Sequence, residues 1–341
     1  MKAGVLFGNE DIRYVETDKP VISENEILVR VKMSGICGSD VPRVLRGAAH
    51  FYPIILGHEF SGVVEEIGNA VENLQPEDRV SGVPLLPCMQ CEDCLQGQFS
   101  LCKHYRFVGS SVNGSFAQYV KLPATNAVKF DPSVSFEQGA LFEPSTVALH
   151  GLRRAGFTGG KDVAVVGSGT IGIFVMQWAK IMGAKSVTVF DISEKRLSLA
   201  KKLGADSVRT TEELPEGAYG YVFDAAGNEQ TVKTALRLAA NRATVCLIGT
   251  PPAPVNFELK QWETIHRKEL HITGSWMSYS APFPGEEWTL TAHCFGTGQL
   301  KYDEALIFKT FPLSRIDEAF SLYQTPGAVG SKLMIDCGEE V

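Results

Sequence analysis

Asp162-Val-Ala-Val-Val166, followed at once by Gly167-Ser168-Gly169-Thr170-Ile171-Gly172, is the stretch on which the fold turns. Its apolar run reads as a strand buried on both faces, the pattern of a parallel sheet. Gly167, Gly169 and Gly172 keep G-x-G-x-x-G spacing. Alone that is weak; between a strand and a helix each glycine has a task, namely a tight turn, close approach of backbone to pyrophosphate, and close helix–strand packing. Apolar residues then recur at Ile171, Phe174, Val175, Trp178, Ala179 and Met182, which is helical spacing. The N-terminus of that helix, near Thr170 and Ile171, offers free N–H groups to phosphate. The bland alternative, a glycine-rich turn with no ligand, fits the strand–loop–helix–strand setting poorly.

Downstream, Ser186-Val-Thr-Val-Phe190 is the next strand, and Asp191 ends it, 19 residues after Gly172. A carboxylate there accepts hydrogen bonds from ribose hydroxyls and repels a 2′-phosphate, so NAD is expected rather than NADP. Lys195 and Arg196 weaken that preference slightly; a solvated helix face is their ordinary reading, and Arg196 stays among the candidate cofactor residues. Ser193 caps a helix running to Leu203, and Gly204 stops it. Strands are expected at Tyr221–Asp224, Ala243–Ile248 and Leu270–Gly274. This alternation predicts a doubly wound α/β sheet over 146–281. Upstream, Ile27–Met33, Gly62–Gly68 and Phe116–Leu122 read as short strands with Gly/Pro punctuation, so 1–145 is a mostly β domain. Beyond residue 282 come helices at Glu286–Phe295 and Arg315–Tyr323 and a strand at Lys332–Asp336. This tail, 282–341, is expected to pack back on the first domain.

The β domain carries two sets of metal-ligating types. Cys88, Cys91, Cys94 and Cys102 lie close enough to enclose one tetrahedral zinc, which leaves no position open for substrate. The lobe, about 84–105, is therefore a structural site; a pair of disulfides is the alternative, and it suits a reducing compartment badly. Cys37, His58 and Glu143 offer a thiolate, an imidazole and a carboxylate, a three-ligand zinc with an open fourth position. Each alone has an ordinary reading as a core or turn residue. Glu59 is open between ligand, neighbour of a ligand, and transient partner. Asp40 is placed to orient a ligand, and Ser39 is the natural hydroxyl to pass on a proton. Cys246 reads as a core thiol, and Cys294 and Cys337 receive no role. A Cys/His/Glu set does not choose zinc over manganese or cobalt by affinity alone.

Bulk properties exclude other classes. The 341 residues are 44% hydrophobic and carry a net charge of −7, with no basic block that would mark a nucleic-acid binder. The N-terminus turns polar too soon for a signal peptide, and no apolar run approaches the ~20 residues of a membrane span. A cytoplasmic enzyme acting on a small molecule is expected.

Taken together, these residues resemble the medium-chain, zinc-dependent alcohol/polyol dehydrogenases over nearly the whole chain. The resemblance implies a GroES-like β catalytic domain, discontinuous in sequence, with a Rossmann domain inserted into it. It implies two zincs per chain: a catalytic one on Cys37, His58 and Glu143 with Glu59 beside it, and a structural one on the four clustered cysteines. Glu143 stands where alcohol dehydrogenases of the family have Cys, a sorbitol-dehydrogenase-like pattern that also makes it a substrate-side residue. Ile248-Gly249-Thr250 and Ser275-Trp276-Met277 match segments flanking the nicotinamide, and a homodimer or homotetramer is implied. Gly47-Ala-Ala-His-Phe-Tyr-Pro53, Val83-Pro-Leu-Leu-Pro-Cys88, and Gly274-Ser-Trp-Met-Ser-Tyr-Ser280 leading to Pro284-Gly-Glu-Glu-Trp288 point to members that oxidise polyol phosphates such as galactitol 1-phosphate. Pentitol-phosphate dehydrogenases are near relatives. One departure stands out: many members have a relay His where this chain has Pro42. Arg43 is the first candidate for a substrate phosphate, a surface arginine being its ordinary reading. Oxidation of a polyol phosphate to a ketose phosphate is thus expected. Alternatives are an unphosphorylated polyol and a non-catalytic NAD-binding sensor; the intact Cys37, Ser39, His58 and Glu143 argue against the latter.

Overall fold

A computed structural model describes residues 1–212, 214–325 and 327–338. They form two compact units. The first comprises Met1–Glu143, Tyr279–Gly298 and Ile307–Val341, and the second Pro144–Ser278 and Gln299–Leu306.

The second unit is built on a six-stranded parallel sheet. Across it lie Ser207–Thr210, Ser186–Asp191, Asp162–Val166, Tyr219–Asp224, Ala239–Leu247 and His271–Gly274. By position along the chain the order is third, second, first, fourth, fifth, sixth, so the direction of winding reverses between Asp162–Val166 and Tyr219–Asp224. Clefts for ligands open at the carboxyl ends of strands at such a reversal. Val163 stands opposite both Val187 and Tyr221, and Ala164, Val165, Val187 and Val222 are fully buried. The helix Thr170–Ile181 is buried from Gly172 to Ala179. Its Trp178 indole N–H donates to the Ser145 carbonyl at 3.1 Å and to Ser145 Oγ at 3.0 Å, which satisfies the polar end of a wholly enclosed ring.

Two helices here were not among those expected from the sequence. Leu259–Arg267 fully buries none of its residues and rests on the core through the half-buried Ile265. Glu229–Leu238 is announced by its cap instead: Asn228 Oδ1 accepts from Thr231 N at 3.0 Å, and Thr231 Oγ1 accepts from Asn228 N at 3.0 Å. The stretch 299–306, which the sequence reading placed in the C-terminal return, packs with this unit. Gln177 Oε1 accepts from Lys301 N at 2.6 Å, Gln177 Nε2 donates to Lys301 O at 3.1 Å, and Lys202 pairs with Asp303.

The first unit carries a mixed sheet of seven strands. Its path runs Ala127–Lys129, Arg79–Gly82, Glu59–Ile67, Glu26–Gly35, Lys332–Asp336 and Ile307–Pro312, and Tyr119–Pro123 also pairs with Glu26–Gly35. Phe116 and Ala117 precede that strand rather than opening it; Phe116 O accepts from Gly4 N at 2.8 Å, and Ala117 bridges to Ala3. A second sheet of Lys2–Gly8, Asp11–Glu16 and Ile54–Ile55 covers a core that includes Leu6, Ile27, Val29, Phe60, Phe116, Phe320 and Ile335. The helix expected over Arg315–Tyr323 is shorter, Ile316–Ser321, with a 3₁₀ turn on either side. Residues 339–341 of the return lie outside the described residues.

Candidate functional site

In the first unit, Cys37 follows the strand Glu26–Gly35, while His58 and Glu59 lie at the start of its neighbour Glu59–Ile67. Gly35 stands opposite Glu59 in the register, which places the two segments side by side. Gly57, with φ at +91°, makes the turn into His58, and a Cβ there would lie 2.8 Å from the Phe116 ring, so no larger residue fits. One ligand atom each of Cys37, His58 and Glu59 falls within 4.8 Å of the others. A thiol, an imidazole and a carboxylate this close form a donor set that fits a divalent metal such as zinc.

Glu143, expected as a ligand, is not one of that mutually close three. It is buried in the first turn of the helix Phe142–Arg154, and burial together with the neighbouring Glu59 charge pushes its carboxyl up to about 7. Asp40 is wholly buried, with Oδ2 accepting from Cys37 N at 3.1 Å and Oδ1 3.5 Å from His58 Nδ1. Burial works against its charge, but His58 and Arg43 outweigh that and hold the carboxyl below its usual range. For His58, too, burial opposes the charged form, yet Asp40 and Cys37 raise the imidazole well above its ordinary value.

Lys332 is a member of this site that no local motif announces. Its Nζ is 2.8 Å from Glu59 Oε1, 2.6 Å from Oε2 and 3.2 Å from the Ile36 carbonyl, with the side chain only 7% exposed. Burial disfavours its charge, and the Glu59 and Cys37 charges more than restore it. A buried carboxylate needs such a partner.

Ser39 and Arg43 meet next to the cluster. Arg43 donates to Ser39 Oγ at 3.1 Å, to Asp40 Oδ1 at 3.3 Å and to Ser110 Oγ at 3.2 Å. Ser110 was not expected. It lies on a loop whose Gly109 and Gly114 press on the Gly57 carbonyl, where a Cβ would come within 2.2 and 2.3 Å of the oxygen.

The four clustered thiols, Cys88, Cys91, Cys94 and Cys102, lie within 4.8 Å of one another. The short strands Leu85–Leu86 and Arg106–Phe107 pair and frame them. Backbone N–H groups point at the sulfurs: Cys88 N lies 3.3 Å from Cys102 Sγ, and Cys91 N 3.4 Å from Cys88 Sγ. Amides of Cys94 and Lys103 pull the Cys91 thiol down to about 6, whereas burial pushes Cys94 up to about 12. Peptide dipoles aimed at sulfur prepare a thiolate, the form that binds metal. The set fits a closed tetrahedral zinc.

In the second unit the dinucleotide loop fits its ligand as well. Gly172 touches the turn so closely that a Cβ would lie 1.8 Å from the Gly167 carbonyl oxygen, while nothing lies within 4 Å of a Cβ on Gly169. Gly169 caps the helix without a side chain and leaves the first N–H groups, from Thr170 and Ile171 onward, to a phosphate. Asp191 is buried, accepting from Ser168 N at 2.7 Å and Ser193 N at 2.8 Å, and Ser168 Oγ donates to the Arg196 carbonyl at 3.1 Å. Across the sheet reversal, Asp224 Oδ1 accepts from Ala226 N and Gly227 N, and its carbonyl accepts from Ile248 N and Gly249 N. Gly227 and Gly249 pack so tightly that a Cβ on Gly227 would sit 2.3 Å from the Gly249 carbonyl carbon. Thr250 follows, and Ser275 N donates to Leu247 O at 3.0 Å; Trp276 is half exposed and Met277 has φ of +58°. Asp224 and Gly227 were missed, although Ala225-Ala226-Gly227 before an Asn cap is a turn signal.

No described helix is long and apolar enough to cross a membrane. Comparison with known proteins agrees with this architecture. Residues 23–132 match the family profile described as "Alcohol dehydrogenase GroES-like domain", and residues 170–292 the one described as "Zinc-binding dehydrogenase". The chain is 40% identical to galactitol 1-phosphate 5-dehydrogenase of Escherichia coli over 84% of this chain and 86% of that protein. It is 30% identical to sorbitol dehydrogenase of Bombyx mori over 96% of each. The crystal structure of galactitol-1-phosphate dehydrogenase from Escherichia coli superposes with a TM-score of 0.93 at 36% identity, covering 98% of this chain and all of that one. With its GroES-like domain and parallel-sheet nucleotide-type domain, the chain belongs to the zinc-binding medium-chain dehydrogenases, oxidoreductases of the polyol dehydrogenase kind that act on CH–OH groups.

Proposed function

We propose that this protein catalyses the NAD-linked oxidation of a secondary hydroxyl on a polyol phosphate of the galactitol 1-phosphate kind, giving a ketose phosphate. The observation that carries the reading is the cluster of Cys37, His58 and Glu59 with Ser39 and Asp40 beside it, in a chain 40% identical to an enzyme of that name. Cys37, His58 and either Glu59 or Glu143 would hold the catalytic zinc, and the four clustered cysteines the structural one. When bound, zinc supplies a Lewis acid at the substrate oxygen and NAD supplies the hydride acceptor. Asp40 fixes the His58 imidazole through its charge, and Lys332 holds the Glu59 carboxyl in place through contacts at 2.8 and 2.6 Å. Ser39 Oγ takes up the substrate hydroxyl proton and releases its own outward; Pro42 has none to give. Asp191 receives the ribose hydroxyls, which favours NAD over NADP. Gly167, Gly169 and Gly172 with Thr170 and Ile171 seat the pyrophosphate, Arg196 borders it, and Ile248–Thr250 with Ser275–Met277 border the nicotinamide.

A second reading, an unphosphorylated polyol, is favoured by the bonding of Arg43, whose guanidinium is engaged by three side-chain oxygens. A cytoplasmic homodimer or homotetramer completes the proposal. Its support is the edge strand His271–Gly274, which among the described residues pairs on one side only, with Ile272 and the nearby Trp262 exposed.

The deciding experiment follows NADH formation with galactitol 1-phosphate, galactitol and paired pentitols and pentitol phosphates, on protein of measured metal content. Turnover of a phosphorylated polyol alone supports the first reading, and turnover of a free polyol the second. No turnover by protein holding two metals and NAD overturns both in favour of a sensor.

A further inference from the structure

Ser39 occupies the N-cap of the helix Asp40–Leu45, yet its side chain makes no capping bond. An N-cap serine ordinarily spends its hydroxyl on a backbone N–H of the first turn. Here the oxygen is held by Arg43 at 3.1 Å instead. The same guanidinium reaches Asp40 Oδ1 at 3.3 Å and, through its other terminal nitrogen, Ser110 Oγ at 3.2 Å, with the side chain 18% exposed. A helix of six residues has little rigidity of its own. The fork of a planar guanidinium is pre-organised to hold several oxygens at once, and its charge does not titrate.

We propose that Arg43 is a positioning residue: it holds the Ser39 hydroxyl and the Asp40 carboxylate in fixed register with the loop carrying Ser110, and it is not the ligand of a substrate phosphate. The inference rests on the reading of Ser39 as proton carrier. Arg43 cannot stand in for a relay histidine, because a guanidinium only donates hydrogen bonds and has no acceptor with which to take up a proton. It acts instead as a fixed positive charge whose donated bond occupies one lone pair of Ser39 Oγ and leaves the hydroxyl hydrogen free to pass to solvent water as the oxygen takes up the substrate proton. Through Asp40 the same side chain bears on His58, so one residue sets both the proton carrier and a metal-holding imidazole.

The test compares R43K and S110A with the parent protein, using galactitol 1-phosphate and galactitol as probes. For R43K the expected result is a fall in kcat of about 10–100-fold with KM changed less than about threefold, alike for both probes, and a larger solvent deuterium isotope effect on kcat. S110A, which removes one acceptor and should fold in any case, loses several-fold in kcat, and the double variant is no worse than R43K alone. A rise in KM for the phosphorylated probe only, with kcat kept, overturns the proposal, as does unchanged kcat. Should the parent turn over neither probe, the functional reading fails separately. The positioning claim is then read from metal loss to a chelator: R43K releases the Cys37–His58 metal faster while the cysteine lobe keeps its own, and equal retention overturns it.

Discussion

The two metal-ligand clusters of the first unit are built in opposite ways. The cysteine lobe draws its four ligands from one short stretch, 88–102, and prepares them with its own peptide N–H groups. The mixed cluster draws on residues 37, 58 and 59, borders Glu143, and depends on Lys332, 273 positions beyond Glu59. One is a local object of a single ligand type. The other is an assembly of opposed buried charges, each tolerable only because the others are there. Under the proposed function, the first is a site made to hold metal permanently and needs little else, and the second, which would leave room for a substrate, is supported from outside its ligand set.

That contrast can be broken first at the mixed cluster. C37A and H58A should each lower kcat by more than ~10³-fold, the loss of several kcal/mol of charge stabilisation, while metal analysis still finds one zinc per chain. Loss of both metals would mean the clusters are not independent. K332M should strand the Glu59 carboxylate and cost about 3–5 kcal/mol of stability in denaturant unfolding, whereas K332M/E59Q recovers part of it. An additive double variant would show that the pair is not coupled. C102S should cost about 3 kcal/mol, a fall in Tm of about 10 °C, and release one zinc, with kcat of the remaining folded protein within about twofold of the parent. A kcat loss comparable to that of C37A would abolish the distinction between the clusters.

The smallest effect expected is one of pH on metal-free protein. His58 is held well above its ordinary value, so its contribution is full below about pH 6.5 and is lost as pH rises through the folded value. Asp40 is held low, so its contribution is full above about pH 4 and is lost as pH falls below that. Chemical denaturation of stripped protein should therefore be most favourable to the fold between these limits. In metal-loaded protein the decline above pH 6.5 should vanish or reverse, because binding needs the neutral imidazole. The same profile with and without metal would remove His58 from the metal site.

What the sequence disclosed follows the same division. The thiol lobe and the glycine loop were legible because their residues are neighbours in the chain and each spacing has a physical reason. The strands Asp162–Val166 and Ser186–Asp191 were legible as short apolar runs and the helix Thr170–Ile181 from its periodicity. Lys332 was not, since a lysine before an apolar strand looks like any strand end until the register sets it on Glu59. Ser110 and Asp224 were hidden likewise, by contacts that only the folded chain makes. Arg43 was noticed for its charge, but its partners decide what it does. Leu259–Arg267 escaped because none of its residues is fully buried, Ile265 being only half-buried against the core.

The pairing of Lys332 with Glu59 has a further meaning during biosynthesis. At translation rates of roughly 5–20 residues per second, the 273 residues between them take on the order of tens of seconds to make. For most of that interval, once Cys102 has been made, the nascent chain has all four cysteines of its lobe, yet Glu59 lacks its cation and the strand Glu26–Gly35 lacks its neighbour Lys332–Asp336. A polypeptide released early would thus carry a finished zinc lobe beside an unbalanced carboxylate and an open sheet edge, the kind of surface that chaperones and proteases recognise. Charge at the mixed cluster is balanced only once the return strand has been made.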